Sequence, residues 1–381
     1  MHANDAKDTL REDTPAVAVA RKHEVAFLRT VLSQNTKTCR LIQREPANAL
    51  ARFLFSSALP GVTYVREDPL LPSNISYDVS ICSELMKEHV SLEDAQEICE
   101  ALCAASKQAV CRLAKVRQND DDKTDVVLQP VLPSGDLQQV AWRTDSNIIT
   151  SEHLAELRRL YATNAPDDVG GQHFNRRLFC LLERYHALGG PTYQCSVTQK
   201  SFDVLRKEFG VTKECFASPF NKSTAVYWSA FADTDRFFGS QGSFYTALSS
   251  ALVQEGGSFY ANPPFVEEHM QLLQEQVALI LELPVAVTFA VILPTWTDNA
   301  SHEWMRKSPY TKLHVVLQPN RHKYVDGNQH TNGRRTSVAR FSSSCFILQN
   351  SLGSAQFPVD AAKKRRLTAS FLLSSCIDSE K

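Results

Sequence analysis

The sequence predicts an α/β fold, in which a parallel sheet with crossover helices follows a mainly helical part. Three observations lead there. From Lys213 onward, short apolar runs rich in β-branched and aromatic residues alternate with helical segments, the pattern of strand-helix-strand units. The run VAVTFAVIL at 285–293 is apolar on both faces except for Thr288 and stops at Pro294. A strand of that kind belongs in the middle of a sheet covered on both sides. Before residue 200, apolar residues recur instead at helical spacing. A chain of 381 residues can hold two domains sharing an interface. The expected division is a helical domain over 1–200, a sheet domain over 201–355 and a basic, flexible tail over 356–381.

Individual elements follow in order. Residues 16–32 carry a helix-like pattern. Ser91 caps a longer helix, with Asp94 three residues on in a weak form of the capping box. Ala95, Ile98, Leu102, Ala105, Val110 and Leu113 then repeat at helical intervals. Residues 118–124, with Asp120, Asp121 and Asp122, lack an apolar anchor and read as a solvated loop. Further helices are expected over 151–161, 174–188 and 202–209. Besides 285–293, strands are expected at 214–217, 257–260, 313–317 and 345–348.

Composition excludes several classes. Net charge is −1, so the chain as a whole shows no strong preference for nucleic acid or anionic membrane. No apolar run reaches eighteen residues, and the first twenty lack the apolar core of a secretory signal. The ten cysteines are scattered without a Cys-x-x-Cys pair, which fits reduced thiols in cytosol or nucleus. Cys99, Cys103 and Cys111 share one predicted helix, but no His or Cys pair completes a zinc set, so no metal is expected. No two glycines are separated by a single residue, and no Gly-Lys-Ser/Thr loop occurs. Dehydrogenase and NTPase readings lose support accordingly.

One word carries chemistry. Asn262, Pro263, Pro264 and Phe265 follow the strand at 257–260 and precede a helix starting near Val266. That helix has Glu267 and Glu268 in its first turn and one apolar face of Val266, Met270, Leu273, Val277 and Ile280. The word therefore sits at the carboxyl end of a strand, where open α/β sheets place ligands. An exocyclic adenine amine is a poor nucleophile because its lone pair is delocalised into the ring. The Asn262 side-chain oxygen and the Pro263 carbonyl, both acceptors, can hold its two protons and aim the nitrogen at a methyl donor. The prolines fix the backbone, and Phe265 can stack on the base. As a plain turn the word has a simpler reading, but its strand-turn-helix setting favours the catalytic one.

Charge is local rather than global. Between His302 and Arg340 stand eight Lys or Arg residues against two acids, Glu303 and Asp326. A phosphate backbone would suit this stretch, with Arg321, His322, Lys323, Arg334 and Arg335 as candidate RNA contacts. Lys363, Lys364, Arg365 and Arg366 form a basic cluster, read equally as a nuclear localisation signal or a solvated tail.

Several blocks beyond the tetrapeptide resemble one family, in order along residues 175 to 350. These are RLFCLLERY (177–185), ECFASPFN (214–221), SAFADTDRFFGSQGSF (229–244), LPTW (293–296), KYVDGNQH (323–330) and FILQN (346–350). They resemble the cap-specific adenosine N6-methyltransferases of the phosphorylated-CTD-interacting factor type. The resemblance implies a Rossmann-like, S-adenosylmethionine-dependent methyltransferase domain behind a helical domain. The implied substrate is the adenosine next to the 7-methylguanosine cap of an mRNA, with one methyl or two added. The donor would lie near Ala217, Ser218, Pro219, Phe220 and Asn221, with Asp233 or Asp235 suited to ribose hydroxyls and Gly239 in a matching place. No WW domain is found at the amino terminus, which places binding to the phosphorylated tail of RNA polymerase II in doubt. A monomer, nuclear or cytoplasmic and without a membrane partner, is expected. Two rivals stay open: an N6-adenine methyltransferase acting on another RNA or on DNA, and a non-catalytic RNA-binding relic of the fold.

Overall fold

The computed structural model describes residues 12–38, 50–51, 53–54, 68–72, 79–87, 89–133, 135–189, 194–332 and 336–373. Helices α1 (Pro15–Thr38), α2 (Val79–Lys87) and α3 (Leu92–Gln118) come first. The start of α3 follows its sequence: Ser91 Oγ accepts from the Asp94 backbone N–H at 3.1 Å, satisfying a donor the helix cannot reach. All six apolar positions expected on its inner face are buried, as are Cys99 and Cys103, while Cys111 is exposed.

The first half is less uniformly helical than its spacing suggests. Strands β1 (Val127–Pro130), β2 (Leu137–Trp142) and β3 (Asp145–Thr150) form an antiparallel sheet. Val140, Trp142 and Ile149 from it join the core of the surrounding helices. Polar residues such as Gln138, Gln139 and Asn147 dilute the alternation that would have announced these strands. Helices α4 (Ser151–Asn164) and α5 (Phe174–Leu188) follow.

The second half contains β4 (Ser196–Val197), α6 (Gln199–Phe209), β5 (Lys213–Glu214), β6 (Val226–Tyr227) and β7 (Gly257–Ala261). After these come α7 (Glu267–Leu281), β8 (Val287–Pro294), α8 (Ala300–Lys307) and β9 (Thr311–Leu317). Apart from short helical turns, then follow β10 (Lys323–Val325), β11 (Thr336–Val338), β12 (Ser343–Gln349), α9 (Ser351–Gln356) and α10 (Ala361–Phe371). The main sheet has six strands in the order β6-β5-β7-β8-β12-β9. β6, β5, β7 and β8 pair in parallel, while β12 runs antiparallel to both β8 and β9. The expected parallel sheet with crossover helices thus holds for four strands, and β12 departs from it. The reversal arises because no long crossover helix links β9 to β12; the short ribbon β10–β11 lies between them.

Every residue of β8 is buried, as its double apolar face requires. Its one polar member, Thr288, accepts a hydrogen bond from Gln349 Nε2 at 3.1 Å, which removes the cost of burying the hydroxyl. The α7 face of Met270, Leu273, Val277 and Ile280 packs against this strand layer. Gly256 and Gly257 lead into β7 at φ +74 and +105, where a side chain on Gly256 would strike the Ala286 carbonyl.

Packing crosses residue 200. Phe220, Phe231 and Phe238 belong to the same core as the helices of the first half. At the other end, residues 361–371 form α10 rather than a flexible tail. Leu367 and Phe371, four apart on one face, are buried beside α6 residues Phe202, Leu205 and Phe209. Lys363 donates to the Glu208 carbonyl at 3.0 Å and Arg366 to its carboxylate at 2.8 and 2.9 Å.

Candidate active site at the sheet's switch point

The chain runs from β5 outward to β6 and then returns to β7 on the opposite side of β5. That reversal places a crevice at the carboxyl ends of β5 and β7, the position where open α/β sheets bind ligands. A cavity lies there. Its wall combines Phe216, Ala217, Ser218 and Asn221 after β5 with Asn262 and Pro264 after β7. Tyr185 and Leu188 of α5, Gln194, Cys195, Ser243, Tyr245 and His269 complete much of the rest.

Asn262 has two unlike ends. Its side-chain nitrogen donates to the Cys195 carbonyl at 2.8 Å. A carbonyl can only accept, so this contact fixes which way round the carboxamide sits. The other end, Oδ1, is buried and has no hydrogen-bond partner. Cys195 is itself placed by β4, which pairs with β10 across Val197–Tyr324 and Ser196–Val325. Thus a two-strand contact distant in sequence sets the rotation of the side chain singled out from the motif. Phe265 stands edge-on to Tyr324 and to Phe341, with ring centroids 6.4 and 5.9 Å away.

The turn after β5 is held from inside. Asn221 Oδ1 accepts from the Ser218 backbone N–H at 2.6 Å, and Asn221 Nδ2 donates to the Gln194 carbonyl at 3.1 Å. Behind it, Glu214 is 1% exposed and accepts from the Ser223 N–H at 2.8 Å. Burial pushes this carboxyl up to about 7, against the pull of that hydrogen bond and of Lys222. Burial also lifts the Cys195 thiol to about 11, which keeps it protonated and un-nucleophilic at neutral pH.

Of the residues expected to hold a cofactor, Ala217, Ser218 and Asn221 reach the cavity. Pro219 and Phe220 do not line it. They face a neighbouring cleft of about 550 Å³ that also contains His153, Glu156, Lys222 and Asn221, and Phe220 stacks on His330 at 4.0 Å. Asp233 and Asp235 are not ribose ligands in this arrangement. Both oxygens of Asp233 accept from Arg184, at 2.9 and 2.6 Å, in a buried network with Asp13, Arg21 and Asp68. Asp235 accepts from Tyr185 at 2.6 Å and Thr234 at 2.8 Å, and so braces a cavity-lining ring from behind. Gly239, at φ +98, ends a short helical turn packed on Asn164.

The basic stretch divides in the same way. His322 is wholly buried, its ring between the Gln318 carbonyl and the Ser343 hydroxyl, and cannot touch RNA. Arg321 and Lys323 are partly exposed, and Arg334 and Arg335 lie outside the described residues. Sequence reasoning missed Cys195, Tyr245 and His269. Tyr245 and His269 are joined by a 2.8 Å hydrogen bond at the cavity wall, and no spacing in the chain signals that contact.

A family model described as the phosphorylated CTD interacting factor 1 WW domain matches residues 156–327. This overturns the expectation that the chain lacks that family's WW domain, and the doubt over the polymerase tail falls with it. The expectation looked to the amino terminus, whereas the match runs through the middle of the chain. The mRNA (2'-O-methyladenosine-N(6)-)-methyltransferase of Mus musculus is 29% identical over 318 residues, which cover 76% of this chain and 44% of the relative. The Homo sapiens protein of the same name is 29% identical over 316 residues, with the same coverage of each. The chain therefore spans less than half the length of these relatives.

Proposed function

We propose that this chain methylates the N6 amine of the adenosine next to the 7-methylguanosine cap of an mRNA, using S-adenosylmethionine. The observation that carries the reading is Asn262 Oδ1, a buried acceptor without a partner beside the cavity at the sheet's switch point. An unmet buried acceptor costs about 1–3 kcal/mol, so its retention calls for a ligand donor, and an exocyclic amine supplies one. The printed names of the relatives, enzymes that act on 2'-O-methyladenosine N6, support the same chemistry.

Several lining residues suit the cofactor in kind, although the cavity is only about 80 Å³ and must widen to admit it. Ala217, Ser218 and Asn221 would hold it, with Ser243 offering a further hydroxyl and the rings of Phe216 and Tyr245 an apolar wall. When bound, S-adenosylmethionine supplies an electrophilic methyl group. The chain's own part is orientation. Asn262 Oδ1 and the Pro263 carbonyl accept the two amine protons and turn the nitrogen lone pair out of conjugation with the ring. The Cys195 carbonyl prevents the carboxamide from presenting its nitrogen instead. Phe265 stacks on the base, and Arg321 and Lys323 attract the phosphates. The excess proton leaves to solvent after transfer. The nucleus, where mRNA is made, is the proposed location.

The test is methyl transfer from labelled donor to short RNAs beginning with adenosine, digested to nucleosides for mass spectrometry. Methylation restricted to the 7-methylguanosine-capped RNA is expected. Equal methylation of RNAs with an unmethylated cap or a bare 5′ phosphate would remove the cap from the reading. No transfer and no donor binding would overturn it.

A further inference from the structure

Beside the Asn-Pro-Pro-Phe turn stands an aromatic ring that the reading above does not use. Phe341 is 41% exposed, a large apolar surface facing water. It lies just past the ribbon β10–β11, whose register pairs Lys323 with Val338, and Val338 is itself 47% exposed. Exposed Arg340 precedes it in the chain. Cations interleaved with an exposed aromatic make the composition of a single-strand nucleic-acid platform, in which bases stack on rings and phosphates meet positive charge.

The ring's orientation adds more than its composition. Phe341 lies nearly parallel to buried Tyr324, at 17° and 6.3 Å, and nearly perpendicular to Phe265, at 87° and 5.9 Å. A base stacked on Phe265 and a base stacked on Phe341 cannot be stacked on each other. Two neighbouring nucleotides bound this way have their mutual stack broken, which is what presenting a single amine to a recessed site requires.

We propose that Phe341 is the stacking platform for the base that follows the target adenosine, and so holds the target turned out of its strand. This rests on the RNA-methylating function proposed above. The cap base is the rival occupant of this ring. A 7-methylguanine carries positive charge, which exposed Arg340, adjacent to Phe341 in the chain, disfavours, whereas that cation attracts the phosphodiester beside a neutral base.

The experiment compares wild-type protein with Phe341→Ala and Phe341→Trp on two substrates: a capped RNA continuing beyond the adenosine, and the cap dinucleotide ending at it. Phe341→Ala is expected to lower kcat/KM on the longer RNA by about tenfold, through KM, and to leave the dinucleotide unchanged. Phe341→Trp should restore the longer RNA. Equal loss on both substrates would overturn the proposal, since the ring would then serve Phe265 or the cap base. Loss on neither would overturn it as well. A binding readout separates this from failure of the activity itself. A fluorescent adenine analogue placed after the leading adenosine should be quenched by wild-type protein and not by Phe341→Ala, whether or not methyl transfer occurs. Quenching unaffected by the substitution would also overturn the proposal.

Discussion

The turn after β7 and the segment after β6 both carry polar side chains that the sequence marks for the site, yet their oxygens are occupied very differently. In the turn, Asn262 is anchored through its nitrogen, and Oδ1 is left without a partner beside a cavity. In the segment, both oxygens of Asp233 and both of Asp235 accept hydrogen bonds from within the protein. Neither carboxylate lines the cavity. Residue type alone does not separate a ligand-binding group from a brace. What separates them is whether folding leaves an acceptor unmet where a ligand can reach it.

The comparison makes opposite demands on two substitutions. Arg184→Ala would leave the buried carboxylates of Asp13 and Asp233 facing each other with fewer cations. Burial raises the Asp13 carboxyl, but Arg21 and Arg184 outweigh it and hold the group well below the usual carboxylate range. Breaking such a buried network costs about 3–5 kcal/mol. Denaturant unfolding should show that loss, and a cost under about 1 kcal/mol would mean the network does not brace the fold. Asn262→Ala should do the reverse. By analogy with removal of one preorganised hydrogen-bonding group, kcat for the proposed transfer should fall about 10²–10³-fold, with the unfolding midpoint almost unmoved. Wild-type turnover in this variant would remove Asn262 from the mechanism.

How much of this was legible follows from the range of the interactions. β8 and α7 were readable because a nine-residue run that is apolar except for Thr288, and an apolar stripe at helical spacing, are local facts. The Asn-Pro-Pro-Phe word was readable for the same reason. Its orientation was not, because the Cys195 carbonyl lies 67 residues earlier. Asp233 and Asp235 were misassigned because their partners, Arg184 and Tyr185, stand 49 and 50 residues away. β4 and β10 are two and three residues long, too short for any pattern, and they exist through pairing, β4 with β10 and β10 also with β11. α10 did leave a local trace, since Leu367 and Phe371 are spaced for one helical face, but the basic run around them hid it.

Glu214 sharpens the comparison through pH, because it is a buried carboxyl near the cavity without a full ion pair. Burial raises it to about 7, above the ordinary value of 4.5 that it regains on unfolding. Between those values the folded chain holds a proton that the unfolded chain has released. Glu214's own contribution to stability should therefore fall as pH rises from 4.5 to about 7 and level off above that. The contribution is about 3 kcal/mol, and Asp235, raised by burial to about 6, adds in the same direction. His314 and His330, lowered by burial to about 4, act in the opposite sense. Glu214→Gln should flatten this part of the unfolding free energy against pH. An unchanged slope would mean that Glu214 is ionised in the folded chain.

The smallest effect separates two basic regions. Lys323 lies on the ribbon beside the Asn-Pro-Pro-Phe turn, whereas Arg366 on α10 is paired with Glu208. If charge near the turn meets RNA phosphate, each lost contact lowers the slope of log affinity against log salt by about 0.7 for a single strand. Lys323→Ala should show that reduced slope, with a severalfold loss of affinity at low salt. Arg366→Ala should leave both unchanged, because an exposed cation already paired within the protein offers little to a distant phosphate. Salt titration of RNA binding for the two variants side by side reads the difference. Equal slopes would mean that overall charge draws the RNA, and that the ribbon has no privileged place in holding it.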